Sequence, residues 1–257
     1  MGKRGILGEG LMNLFFPQHC TSCGCYVTFS HGYPLCCECE CLVHPLRSPL
    51  CTYCGKVLPS GKAMECLRCR VHPFHFDRAR AVVNYSGVLR AALHAWKYRG
   101  VISLTPFFID IMTAYLREHR FLLEVDFVLP VPLHRTRLYE RGFNQSFLLS
   151  QQIGDYFSLP VSEKMVSRIR NTKPQVGLAR KERRRNVSGA FQVEEGTSLR
   201  GKRVLIVDDV LTTRATVDSL SRELRRVGCG RIYVIALASS CSAERGGDSL
   251  SREIPRR

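Results

Sequence analysis

From about residue 77 onward, apolar residues fall into two rhythms that alternate along the chain. "RARAVVNY", residues 78–85, reads as a strand, and "GVLRAALHAWKYRG", residues 87–100, sets Leu89, Leu93 and Trp96 at helical spacing. A second helix is predicted over "LTPFFIDIMTAYLREH", residues 104–119. "VDFVLPVP" is an apolar run ended by proline, as in a buried strand that enters a loop. A helix follows "RGFNQS", with Phe147, Leu148, Gln151 and Gln152 in its turns, and "VSRIR" and "RVLIVDD" are strands. "TVDSLSRELRRVG" places Val217, Leu220, Leu224 and Val227 on one helical face, and "RIYVIALASS" is a last strand. This alternation predicts an α/β domain over 77–241, its mostly parallel sheet covered by helices on both faces. Such sheets hold ligands at the carboxyl ends of their strands. His94, Trp96 and Tyr98 share a helix with Leu89 and Leu93 and are read as core or core-edge residues. The polar tail at 242–257 is expected to be disordered.

The front of the chain follows neither rhythm. Eleven of thirteen cysteines fall within residues 20–69, most of them in four Cys-x-x-Cys knuckles: Cys20 with Cys23, Cys36 with Cys39, Cys51 with Cys54, and Cys66 with Cys69. Each knuckle turns two thiolates to one side, so two knuckles complete a tetrahedral sulfur site for Zn2+, closed to water and therefore structural. Two zinc ions are expected, in a double zinc ribbon over 17–72. A block of about twenty residues cannot bury enough apolar surface to offset its chain entropy, so metal would supply most of its folding energy. Sequential and crossed pairings use the same eight sulfurs. The sequential one is preferred, because each block carries its own Gly and Pro turn residues. Cys25, Cys37 and Cys41 are read as spare thiols, with Cys37 or Cys41 as alternative ligands.

Candidate ligand chemistry gathers at "VLIVDDVLTTRAT". "VLIV" predicts a buried parallel strand and the next helix starts near Ala215, which puts "DDVLTTRAT" on the turn facing the ligand crevice. Free N–H groups at a helix start, together with threonine hydroxyls, suit a phosphate monoester. Asp208 and Asp209 would repel that phosphate, yet they accept hydrogen bonds well from a vicinal diol. A ribose 5-phosphate satisfies both halves. The bland reading, an Asx-type cap plus one solvated aspartate, accounts for one acid and one threonine only.

Five motifs in order then resemble the ComF-type, competence-associated proteins: the paired zinc knuckles, "HAWKYRG", "LPVPLHRTRLYERGFNQS", "TKPQVGLARKERRRNVSGAF" and "VLIVDDVLTTRAT". The last also resembles the phosphoribosyl diphosphate (PRPP) fingerprint of type I phosphoribosyltransferases. The resemblance implies a type I phosphoribosyltransferase fold behind a small Cys-rich zinc-ribbon module. In it Asp208 and Asp209 would hold the ribose hydroxyls, and Thr212, Thr213, Arg214, Ala215 and Thr216 the 5-phosphate. His134, Arg135 and Arg137 would contact pyrophosphate, accompanied by Mg2+. It leaves open whether the phosphoribosyl group is transferred and to what acceptor. Arg214 stands where the family pattern has glycine. A residue with a Cβ would be strained if a positive φ is needed there; the alternative is that the guanidinium reaches round to pair with the phosphate.

Composition bears on partners. The chain has 257 residues and carries 38 Lys and Arg against 22 Asp and Glu, a formal charge of +16, which favours polyanions. Nine Lys and Arg lie between Lys164 and Arg185. Lys173, Arg180, Lys181, Arg183, Arg184 and Arg185 are candidate contacts to single-stranded DNA, a partner that the ComF resemblance also implies, along with proteins of the DNA-uptake machinery. Tyr26, Phe29, Tyr33, Tyr53 and Phe191 are possible stacking or core aromatics. No apolar run reaches the roughly 18 residues of a membrane span, and a cytoplasmic protein is expected. An alternative is a non-catalytic, zinc-stabilised nucleic-acid-binding protein whose sugar-phosphate pocket is a ligand sensor or vestigial.

Overall fold

The structure, a computed structural model, describes residues 18–28, 32–47, 49–59, 64–172 and 180–240. Phe29, Lys173 and the expected tail at 242–257 lie outside the described residues, as do the side chains of Arg180, Lys181, Arg183 and Arg184.

The two cysteine blocks are built on one plan, about 31 residues apart. In the first, Gly24 N–H donates to the Cys20 carbonyl at 2.9 Å, and Thr21 binds the Pro34 carbonyl through both its N–H and its hydroxyl. In the second, Gly55 repeats the bond to Cys51, and Thr52 repeats the pair to Met64. Gly24 and Gly55 adopt φ of 79° and 64°, the left-handed backbone that lets a knuckle turn back on itself. Strands β1 (Gln18–His19) and β2 (Tyr26–Val27) pair antiparallel in the first block. One-turn helices α1 (Cys37–Cys41) and α2 (Leu67–Val71) close the two blocks.

The larger sheet has four parallel strands: β3 (Arg78–Asn84), β4 (Phe127–Pro130), β7 (Arg203–Leu211) and β8 (Arg231–Ser239), in the order β3-β8-β7-β4. Helices α3 (Gly87–Tyr98), α4 (Thr105–Glu118) and α6 (Gln145–Phe157) contribute to the core on one face, and α8 (Ala215–Arg226) to the core on the other. Strand alternation divides the side chains accordingly: Leu205, Val207 and Ile235 join the first core, Val204, Ile206 and Val234 the second. Trp96 is fully enclosed, edge-on to Phe108, and its indole N–H donates to Thr105 at 3.1 Å. Pro130 is tolerated because β4 is an edge strand.

Three local expectations need correction. His94 and Tyr98 are exposed, and only Trp96 of that trio is core; both point from turns of α3 that the apolar stripe does not cover. "VSRIR" does not join the parallel sheet. It forms β5 (Val166–Arg168), an antiparallel pair with β6 (Phe191–Val193), a strand too short to carry a periodic signal. The expected loop "PVPLHRTR" gives way at Arg135 to helix α5 (Arg135–Arg141), which His134 caps by accepting from the Thr136 N–H at 3.3 Å. Within the basic stretch, helix α7 (Arg180–Val187) is anchored through Ser219, whose hydroxyl donates to the Val187 carbonyl at 2.7 Å.

Exposed sheet edges invite wrong pairing, and here both are capped. Along β3, the Ala79 N–H donates to the Tyr53 carbonyl at 2.6 Å and the Val82 carbonyl accepts from Leu46 at 2.8 Å. The first cysteine block thus adds Leu35, Cys36 and Cys39 to one core, and the second adds Cys51, Cys54 and Leu58 to the other. Along β4, Val128 exchanges bonds with Pro160 and Ser162.

Candidate functional site

Beyond the carboxyl ends of β4 and β7 lies a cleft of about 520 Å³. Strand β7 runs four residues past the apolar "VLIV", through Asp208 and Asp209 to Leu211, so the acidic pair stands near its carboxyl end and the turn expected to begin at Asp208 begins only at Thr212. Thr212, Thr213 and Arg214 form that turn and Ala215 opens α8. Asp208, Asp209, Thr212, Arg214, Ala215 and Thr216 all line the cleft. Thr213 is not among the lining residues; its hydroxyl is enclosed without a hydrogen-bond partner among the described residues.

Two half-buried carboxylates side by side need compensation. Lys97 from α3 supplies it, its ammonium 2.6 Å from Asp209, with each side chain only about 15% exposed. Asp208 accepts from the Asp209 N–H at 2.9 Å and from the Ser146 hydroxyl at 3.3 Å. Burial, then the neighbouring Asp209, push the Asp208 carboxyl up to about 7, against the pull of Lys97. Its charge therefore changes near neutrality.

The facing wall is basic. His134 and Arg137 line the cleft as expected, but Arg135 is exposed and outside it. Sequence reasoning missed Lys97, Gln145, Ser146 and Arg168, which line it together with Tyr98 and Arg141. The motifs "HAWKYRG" and "GFNQS" contain most of them, yet their faces depend on how α3 and α6 pack. Arg141 lies 5.3 Å from the Tyr98 ring centre and donates to Gln145 at 3.1 Å. Gln145 is fully buried, and its amide nitrogen has no partner among the described residues. Arg168, on β5, bonds Thr172; burial lowers its pKa while Asp208 holds it up.

Arg214 takes φ 64°, the left-handed conformation that glycine favours. Its side chain is nevertheless buried, and its Nε donates to the Cys54 carbonyl at 2.7 Å. It reaches the second cysteine block, an outcome that neither reading of the sequence foresaw.

The sulfurs fall into two sequential groups, Cys20, Cys23, Cys36 and Cys39, and Cys51, Cys54, Cys66 and Cys69, the atoms of each lying within 4.8 Å of one another. Crossed pairing is thereby excluded. Both donor sets fit a tetrahedral metal with soft ligands. In the second group the Cys66 N–H donates to Cys51 Sγ at 3.3 Å, and hydrogen bonds from Cys54 and then Cys69 pull the Cys51 thiol well below its ordinary range. In the first, bonding led by the Cys25 backbone pulls Cys23 down to about 6. Cys25, Cys37 and Cys41 are exposed and belong to neither group, and all twelve described cysteines are free of disulfides.

A second concavity, about 340 Å³, lies outside α8. Arg68 of α2, Arg185 of α7 and Arg222 of α8 line it, with His75, whose ring sits 2.9 Å from Asp218. No helix among the described residues is long and apolar enough to cross a membrane.

Residues 155–253 match the family described as "Phosphoribosyl transferase domain". The chain is 32% identical to Competence protein F of Haemophilus influenzae over 74% of its own length and 84% of the relative's. It is 30% identical to DNA utilization protein YhgH of Salmonella typhi, over 87% and 98% respectively. Competence protein ComFC of Streptococcus pneumoniae is 26% identical, over 79% and 86%.

Proposed function

Because the chain belongs to the ComF family, we propose that it binds PRPP or a closely related sugar phosphate with Mg2+ and acts in cytoplasmic handling of single-stranded DNA during uptake. One observation carries the ligand reading: two adjacent carboxylates at the carboxyl end of a buried parallel strand face a cleft that the N-terminus of α8 also opens into. The carboxylates accept hydrogen bonds from the ribose diol, and the amides of the Thr212–Thr216 turn take the 5-phosphate. Arg137, Arg141 and Arg168 oppose them with planar donors suited to a diphosphate. Mg2+, when bound, neutralises diphosphate oxygens. Lys97 pairs with Asp209, and Ser146 orients Asp208 toward the hydroxyls. Transfer to an acceptor nitrogen would pass through a cation-like sugar, for which this wall neutralises the leaving group. Zinc is the metal we assign to the two sulfur groups.

The DNA reading rests on the names of the relatives, on the net charge, and on the groove of Arg68, Arg185 and Arg222, to which three separate helices each contribute a guanidinium. Its position outside α8 lets a strand and a sugar phosphate bind together.

Calorimetry with Mg·PRPP tests the first part. Wild-type protein should bind, and Asp208→Asn with Asp209→Asn should lose at least tenfold in affinity. Equal affinity in the double variant removes the acids from the ligand's environment.

A further inference from the structure

Arg214 connects two places that lie far apart in sequence. Its Nε donates to the Cys54 carbonyl, 160 residues away along the chain, and its Nη1 to the Thr212 carbonyl at 3.4 Å, so one buried guanidinium clasps both the second sulfur knuckle and the turn after β7. The knuckle is itself seated on the sheet: Arg80 donates to the Thr52 carbonyl at 3.0 Å, and Gly55 packs directly against the Ala79 carbonyl. At φ 64° a residue bearing a Cβ is strained where glycine is not. The charge-assisted bond to Cys54 offsets that strain only while the knuckle holds its carbonyl in place.

We propose that Arg214 is a positioning residue that couples the Cys51, Cys54, Cys66 and Cys69 metal site to the sugar-phosphate turn. With metal bound, the Cys54 carbonyl is fixed and Arg214 holds Thr212 to Thr216 in their cleft-facing conformation. When the knuckle opens, the buried guanidinium loses the Cys54 carbonyl and the turn relaxes. Coupling is reciprocal, so a ligand in the turn tightens metal binding at this site. The first sulfur group packs against the other core, where Tyr33 meets Phe107 at 5.3 Å, and is the internal control. Only the ligand half of this inference rests on the sugar-phosphate reading.

The test uses full-length, zinc-loaded protein and a cycle of Cys69→Ser and Arg214→Gly, with Cys39→Ser as control. Hydrogen exchange is followed in the peptide spanning residues 210–218, and Mg·PRPP affinity by calorimetry. Cys69→Ser should speed turn exchange and weaken Mg·PRPP on the order of tenfold when Arg214 is present. In the Arg214→Gly background it should change neither, and Cys39→Ser should leave the turn as it was. Equal effects of Cys69→Ser in both backgrounds overturn the coupling. Should Cys69→Ser fail to fold, zinc release from the wild-type and Arg214→Gly chains to excess chelator decides: one of the two ions should leave several-fold faster from Arg214→Gly, and matching rates overturn the proposal. If Mg·PRPP binds neither chain, the ligand assignment falls, and the exchange and release measurements still decide the coupling.

Discussion

Gly24 and Gly55 hold the same place in the two cysteine blocks, one residue after a knuckle, with φ of 79° and 64°. Alanine at either should cost about 1 to 2 kcal/mol for the left-handed backbone alone. Their surroundings differ. A Cβ at Gly24 meets nothing within 4 Å, whereas one at Gly55 lies 2.5 Å from the Ala79 carbonyl oxygen and 3.3 Å from Arg80 Cα, both backbone atoms of β3 that cannot rotate away. Overpacking of that kind adds about 1 to 3 kcal/mol, and the seam it pries open includes the 2.6 Å bond from Ala79 to Tyr53. Gly55→Ala should therefore destabilise the zinc-loaded protein by about 2 to 5 kcal/mol and Gly24→Ala by about 1 to 2 kcal/mol. Urea denaturation followed by tryptophan fluorescence is a suitable assay, since the single Trp96 sits in the main core. Costs for the two variants that agree within about 0.5 kcal/mol would refute the seating of the second block on β3, and with it the path from Cys54 to Arg214.

The Asp208 carboxyl sits at about 7 in the fold against an ordinary 3.8, so between those values the native state holds a proton that the unfolded chain has released. Stability should be greatest below about pH 4 in this respect and fall as pH rises through 7; Asp208→Asn should flatten the urea midpoint between pH 5.5 and 8, and an unchanged slope would contradict the assignment. Sugar-phosphate affinity should move the other way, strengthening as Asp208 ionises. Lys97→Met should cost about 1 to 3 kcal/mol at pH 8 and less at pH 5.5, where protonation of Asp208 relieves the acidic pair; a pH-independent loss would mean that Lys97 contributes packing alone. Elemental analysis should find about two zinc ions per chain, unchanged in Cys25→Ser and about one in Cys54→Ser. Replacing Arg68, Arg185 and Arg222 with Ala should weaken single-stranded DNA binding and lower its log–log salt slope by about 2; an unaltered slope would move the DNA elsewhere.

Much of this molecule was legible along the chain. Apolar runs located the four parallel strands, which bury both faces, and the helical rhythm located most of the helices that cover them, which bury one, because that requirement is written residue by residue. The knuckles announced themselves, since two thiolates on a tight turn need Cys-x-x-Cys whatever surrounds them. "VLIVDD" placed the acidic pair at a strand's carboxyl end through the same local logic. Lys97, Arg141, Ser146 and Arg168 were not legible as partners of that pair, because they come from four separate elements whose approach is set by how the sheet's two cores fill. Nor could spacing show that one cysteine block would seat on each core along β3, or that Arg214 would turn from the phosphate turn to the Cys54 carbonyl. Local residue chemistry prescribed the parts and the ligand classes they suit; contacts between residues distant in the chain, decided only by packing in three dimensions, joined a cysteine knuckle to the turn after β7.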